Sequence, residues 1–338
     1  MKRLRVLCLV HETLVPPDSL SVDENFHDKP WRTERYVSDA LHRLGHTVKM
    51  CGVQYDLSVI RSAIDEFRPD IIFNLLEEFH GQPLYDQNVV SYLELIPLPY
   101  TGCNPRGMML ARDKALTRKV LSYHRIPGPD FVVFPQRTKI KRPKKLTFPL
   151  LVKSQVEEAS LGISQKSVVT SDEEFEQRVA WMHERYKTDV IVEEYIEGRE
   201  LYVGMLGDQR LQVFPIWELV LDNMPDSAPH IATRRVKWDL KYQEKYGIIS
   251  QKAEGLTPDL ERRIISLSKR TYRALGLTGY GRIDLRVNGD GGVYVIEANP
   301  NPELAYGEDF ADAAACYGWD YDNLISRILI QGLKRSAP

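Results

Sequence analysis

The stretch GRIDLRVNGDGGVYVIEANPNP, from Gly281 to Pro302, constrains this chain more than any other. Asp290-Gly291 lies between two alternating apolar runs, a signature of a tight two-residue turn with positive φ at both central residues. Pairing Gly289 with Gly292 then sets Asp284 opposite Glu297 and Arg282 opposite Asn299. Side chains alternate along a strand, so Arg282, Asp284, Glu297 and Asn299 share one face, and Ile283, Leu285, Ile296 and Ala298 share the other. A three- or five-residue loop would break this alignment. Two facing carboxylates repel unless a proton or a cation lies between them. Magnesium suits such a pair, since it takes carboxylate and amide oxygen, needs only one or two protein carboxylates and completes its shell with phosphate. The alternative is a solvated face with chance charges, but such a face seldom sets like charges opposite each other.

At 338 residues the chain exceeds the usual size of one core, which predicts two or three domains. A net charge of -2 gives no electrostatic case for nucleic acid or an anionic membrane. Cys8, Cys51, Cys103 and Cys316 are scattered without a CxxC pair, which argues against a zinc site or a disulfide framework. The opening MKRLRVLCLV has an apolar run too short for a signal-peptide core and reads as a first strand, so a cytoplasmic location is expected.

Strand-like and helical stretches then alternate as far as LPYTG, predicting a parallel sheet covered by helices over residues 1–108. No GxGxxG follows the first strand, so a dinucleotide-binding domain is not supported. The basic helix ARDKALTRKVLSYHRI opens a second unit with strands in FVVF, FPLLVK, KSVVT and DVIVEEYI, and a helix capped by Ser171 or Asp172. A third unit carries ELYVGMLG, RLQVFPIWELV, an irregular polar stretch from Asn223 to Gly255, a helix opened by Thr257-Pro258, the hairpin and a last amphipathic helix. The expected division is 1–108, 109–197 and 198–338.

Three further segments attract chemistry. Lys153 ends an apolar strand beside a small-residue loop with Ser160 and Gly162, where a point charge and backbone N-H groups can hold phosphates. Glu200, just past Gly198, can accept from ribose hydroxyls. Lys114 stands in a basic helix. In isolation each is an ordinary solvated charge, and the GxxxxGK[ST] loop is absent. In order, LARDKALTRKVL, FPLLVKSQVEEASLGIS, VIVEEYIEGRELYVGMLG, GYGRIDLRV and VYVIEANPNP resemble the ATP-grasp superfamily, most closely its D-alanine:D-alanine ligase branch, over nearly the whole chain.

The resemblance implies an α/β fold with an N-terminal parallel-sheet domain and two further domains whose antiparallel sheets clamp ATP. It makes Lys114 and Lys153 phosphate contacts, with Ser160 and Gly162 on a loop closing over the phosphates. Glu193 and Ile196 would offer backbone atoms to adenine, and Glu200 would hold the ribose. Asp284, Glu297 and Asn299 become the ligands of Mg2+, the face already derived from the turn. Arg282 would stabilise charge on the transferred phosphoryl, and Lys237, with Lys241 in reserve, is the candidate lid lysine. The implied activity is ATP-dependent joining of a small-molecule carboxylate to an amine through an acylphosphate; an inactive ATP-binding sensor or scaffold is the rival. Family members are often homodimers, and no residue here locates an interface.

Departures from the pattern bear on substrate. After EANPNP the chain reads ELAYGEDFADAA, so Glu303 and Glu308 stand where the ligases have a small residue and a hydroxyl. An added acid repels a substrate carboxylate and suits an amine or cationic group instead, which argues against D-alanine as acceptor. Glu12, Glu77, Glu78 and His80 fall at expected strand ends, where ligands of open α/β sheets bind.

Overall fold

The computed structural model describes residues 2–17, 26–155, 162–221, 223–225 and 229–335. Its first sheet joins β1 (Arg5–His11), β2 (Thr47–Val53) and β3 (Ile71–Asn74) in parallel, in the order β2-β1-β3, and a parallel bridge from Ile72 to Tyr100 extends it. The unbroken apolar run of β1 follows from burial on both faces. Leu7 and Leu9 enter one core with Ile60 and Val89, while Val6 and Cys8 enter another with Val37 and Leu41.

A second sheet is antiparallel. It contains β4 (Phe131–Phe134), β5 (Leu150–Ser154), β6 (Val168–Val169) and β7 (Val190–Glu194), ordered β4-β7-β5-β6. The Asp172–Tyr186 helix begins where the Ser171 hydroxyl accepts the Glu174 amide, and its Phe175, Val179 and Met182, spaced four and three, pack against Val152 and Val192.

The third sheet contains β8 (Arg199–Leu206), β9 (Gln212–Val213), β10 (Trp217–Val220), β11 (Ile249–Lys252), β12 (Tyr280–Val287) and β13 (Val293–Pro300). Its order is β11-β10-β8-β12-β13, with β9 on β8. The Pro258–Ala274 helix, capped by Thr257, covers its apolar face: Ile264 and Tyr272 meet Ile283, Leu285 and Val295.

Three local expectations change. The basic stretch that starts at Ala111 is not one helix: its first two residues end the Pro105–Arg112 helix, and the Asp113 carboxylate accepts the Leu116 amide at 2.9 Å and starts a new one, Lys114–Tyr123. The polar stretch 223–255 contains short Arg234–Trp238 and Leu240–Tyr246 helices and β11, each helix capped by its own side chain, Thr233 and Asp239. Elements this short carry too little periodicity to be read from sequence.

The third change lies in the hairpin. Gly291 alone of the turn pair has positive φ, at 76°, and the Asn288 amide meets the Gly292 carbonyl at 3.1 Å. The loop therefore has three residues; next to it Val287 faces Val293, and in the same register Leu285 faces Val295. A β-bulge at Ile296 removes the offset, so that Asp284 faces Glu297 and Arg282 faces Asn299. Val295 takes the core position expected of Ile296.

Candidate active site

β12 aims Arg282, Asp284 and Arg286 to one face of the third sheet, and β8 adds Glu200 and Tyr202 through the pairs Arg286↔Glu200 and Asp284↔Tyr202. β13 completes the face with Glu297 and Asn299. Arg282 donates to both oxygens of Asp284, at 2.8 and 2.9 Å, reaches Asp309 at 3.5 Å and lies over the Tyr202 ring at 4.5 Å. Burial works against its charge, but Asp284 and Asp309 outweigh that and raise the guanidinium pKa. Asp284 is only 4% exposed; burial pushes its carboxyl up against the pull of Arg282.

Lys114 stands at the first turn of its helix with its ammonium 3.2 Å from Glu297. Burial would raise the Glu297 pKa, yet Lys114, Lys153 and Lys237 together hold it down at about 2. Lys237 also pulls on Asp284, so the Arg234–Trp238 helix brings it within electrostatic reach of both acids. Lys241 is exposed. Lys153 is buried on β5, 2.6 Å from Glu193, whose other oxygen accepts from Arg118 at 2.7 Å. Burial pulls the Lys153 ammonium below its ordinary value, with Glu193 acting the other way.

The Glu193 side chain is thus a counterion inside the second sheet, and its backbone lies between β4 and β5. The Ile196 carbonyl accepts from Arg286 at 2.7 Å, and Arg286 also binds Glu200 at 3.0 Å and the His230 carbonyl. Glu200 further accepts the Tyr202 hydroxyl at 3.0 Å. Gly162 adopts φ 75°, with its carbonyl bound by Arg178 and Ser167, and an added Cβ would meet the Tyr186 ring at 2.9 Å. Ser160 lies outside the described residues.

The donors on this face fit magnesium. Asp284 and Glu297 oppose each other, and the buried Asn299 amide nitrogen has no hydrogen-bond partner among the described residues. A half-turn of that amide puts its oxygen in place without losing a bond at that nitrogen. With two carboxylates and one amide oxygen, the set suits an ion content with one or two protein carboxylates.

Among the acids expected at strand ends, Glu77 lines a cavity of about 100 Å³ together with Glu34 and Glu303. Glu78 instead meets His11 at 3.1 Å, His80 packs edge-on to Tyr55, and Glu12 is exposed in a short 3-10 helix. Glu308 is paired with Arg32, which neutralises the repulsion expected of it, and Glu303 accepts the Thr33 hydroxyl. Sequence reasoning missed Arg118, Arg286 and Glu34. Glu34 had a signal: with Val37, Ser38 and Leu41 it occupies i, i+3, i+4 and i+7 of the Arg32–Arg43 helix, all buried.

The family model described as D-ala D-ala ligase C-terminus matches residues 120–330. Over 305 residues the chain is 30% identical to a D-alanine–D-alanine ligase of Moorella thermoacetica, covering 87% of this chain and 91% of that one. It is 29% identical over 312 residues to the uncharacterized protein y4sG of Sinorhizobium fredii, covering 89% and 88%. In structure it resembles a D-alanine–D-alanine ligase from Bacillus anthracis complexed with ATP, at TM-score 0.72, 21% identity and 98% coverage of both chains. It likewise resembles the VanG D-Ala:D-Ser ligase from Enterococcus faecalis, at TM-score 0.70, 17% identity and coverage of 98% and 100%. At those identities the structural likeness speaks to the ATP-grasp fold alone. With the family model spanning more than half its length, the chain belongs to the D-alanine–D-alanine ligase family.

Proposed function

We propose that the chain joins a small-molecule carboxylate to an amine with cleavage of ATP, through an acylphosphate, forming an amide. The observation that carries this reading is the cluster of Arg282, Asp284, Glu297 and Asn299 on one sheet face beside Lys114. Asp284, Glu297 and Asn299 are the proposed ligands of magnesium, which when bound draws phosphate oxygens together and offsets their charge. Lys114, Lys153 and the lid residue Lys237 are assigned to the phosphates, with Ser160 and Gly162 on the covering loop. Glu193 and Ile196 border the proposed adenine site, and Glu200 the ribose. Arg282 faces the transferred phosphoryl, a role whose removal costs ~10²-fold or more in rate. A nucleotide sensor would have no use for this guanidinium beside the metal acids, which favours catalysis.

Both substrates are read as small molecules. A net charge of -2 offers nothing to nucleic acid, and no helix among the described residues is long and apolar enough to cross a membrane. The proposed location is the cytoplasm, the proposed assembly a homodimer, and the proposed division 1–108, 109–197 and 198–338. The test is ADP release with ATP and magnesium over a panel of single amino acids and mixed pairs, with products weighed by mass spectrometry. A product equal to two partners less water is expected. Glu297→Gln and Asp284→Asn should lower turnover ~10²-fold or more with the melting temperature retained; unchanged turnover would overturn the metal assignment.

A further inference from the structure

The Pro258–Ala274 helix packs on the third sheet from the side of Ile283 and Leu285, opposite the face that carries Asp284 and Glu297. Beside it runs a groove of about 510 Å³, a volume in the range of small-molecule sites. Four guanidiniums line it, from Arg125, Arg262, Arg263 and Arg270, and no acid is among the described residues that do so. In a chain with a net charge of -2 this is a concentrated local excess. Arg262 meets Asp259 at 3.3 Å, but both are exposed and such a pair holds little. The Arg125 and Arg263 side chains form no hydrogen bond or ion pair among the described residues. Arg125 stands just past the Lys114–Tyr123 helix at φ 51°, with its amide on the Ser122 carbonyl and the Ile126 amide on the Leu121 carbonyl. Glycine is the usual occupant of that position, so an arginine sits there against the backbone preference. Arg270 fastens it, donating to the His124 and Arg125 carbonyls at 2.8 and 3.2 Å.

Arg263 and Arg270 are one helix apart by seven residues, roughly 10 Å along its axis. The cations thus form two poles, Arg262 with Arg263 and Arg270 with Arg125, and Ser266 and Leu267 line the stretch between them. We propose that this groove binds an elongated organic anion with a phosphate at each end, one taken by each pole. A guanidinium keeps its charge and gives phosphate two parallel hydrogen bonds, which suits it to this ligand better than an ammonium. The Ser266 hydroxyl and the Leu267 side chain border the body of the molecule. A single inorganic anion would reach one pole and leave the other unmatched. Because the groove lies across the sheet from the metal acids, its ligand is a molecule other than the ATP and substrates of the ligase reading, and that reading is not needed for it.

The test uses the full chain and two probes, fructose bisphosphate, with a phosphate on each terminal carbon, and fructose monophosphate. Both are titrated by calorimetry at one ionic strength held with sodium chloride. Saturable binding of the bisphosphate is expected, about tenfold or more tighter than that of the monophosphate, because the second end binds intramolecularly once the first is held. Arg263→Gln and Arg125→Gln, one at each pole, should each weaken it about tenfold. Arg273→Gln makes the same change of charge at an exposed position of the same helix outside the groove, and should leave the affinity as it is. All three positions are exposed, so the melting temperature should stay near that of the native protein. Absence of saturable binding, equal affinity for the two probes, or equal weakening in all three variants would overturn the proposal. So would displacement of the bisphosphate in proportion to added ATP and magnesium, since that would place the probe in the ligase site.

Discussion

Glu297 keeps a charge that burial alone would remove, because Lys114, Lys153 and Lys237 converge on it. Glu34 is the opposite case: burial lifts it from 4.5 to about 8, and no cation offsets the rise. The two acids imply opposite linkage to pH. The lowered Glu297 contributes stability that is present above its unfolded value and lost as pH falls toward 2. The raised Glu34 binds a proton more tightly in the native state, so its contribution is full below 4.5 and lost as pH rises through about 8. The melting temperature of the ligand-free protein should therefore fall between pH 5 and 8.5 relative to that of Glu34→Gln, pH limits taken around the two values of the group. Parallel melting curves across that window would refute the assignment. The difference between these residues also explains what could be read in advance. Strand alternation is local, so it put Asp284 and Glu297 on one face from a short stretch of sequence. Glu34 and Arg286 acquire their surroundings from distant segments, Glu303 in one case and Ile196 and His230 in the other.

At the scale of the element, the hairpin reached the expected pairing by a different route. A three-residue loop shifts the register by one, and the bulge at Ile296 shifts it back before the functional end. Turn chemistry at Asp290-Gly291 could not disclose the bulge, because its stabilising partner lies on another element. Arg118, buried in the Lys114–Tyr123 helix, donates to the carbonyls of both Val295 and Ile296 while its Nε binds Glu193. The backbone carbonyls at the bulge on this edge strand are satisfied there. One guanidinium thus joins the bulge that places Glu297 to the acid that holds Lys153. Arg118→Met removes three interactions and leaves Glu193 with Lys153 alone, which should cost roughly 3–5 kcal/mol in chemical denaturation. It should also raise the magnesium concentration needed for half-maximal turnover, since Glu297 loses its fixed register. Lys119→Met, on the exposed side of the same helix, should change neither. Loss of stability without a shift in magnesium dependence would reduce Arg118 to a packing role.

Across the whole molecule, the order of the units was legible because each announces itself by its own pattern: alternation of strands and helices first, antiparallel strands later. Their mutual placement was not, since it depends on contacts between segments far apart in sequence. The join between the second and third sheets shows why. β7 ends at Glu194 and β8 begins at Arg199, so the connection is only a few residues long and must turn sharply beside β12. Gly198 takes φ 137°, and a Cβ there would sit 2.0 Å from the Val287 carbonyl oxygen. Only the absence of a side chain lets the connection run against the end of β12, which in turn lets Arg286 reach the Ile196 carbonyl. A nucleotide bound between the two sheets would depend on this spacing. Gly198→Ala must push the connection off β12 or strain its backbone, at a cost of about 1–3 kcal/mol in unfolding free energy. By moving Ile196 and Glu200 together it should also weaken ATP binding in calorimetry. Gly289→Ala provides the contrast, because Gly289 has nothing within 4 Å of its would-be Cβ. That change should stay within about 0.5 kcal/mol and leave ATP affinity as it is. If Gly198→Ala matched it on both measurements, the close approach at Gly198 would have no part in setting the two sheets against each other.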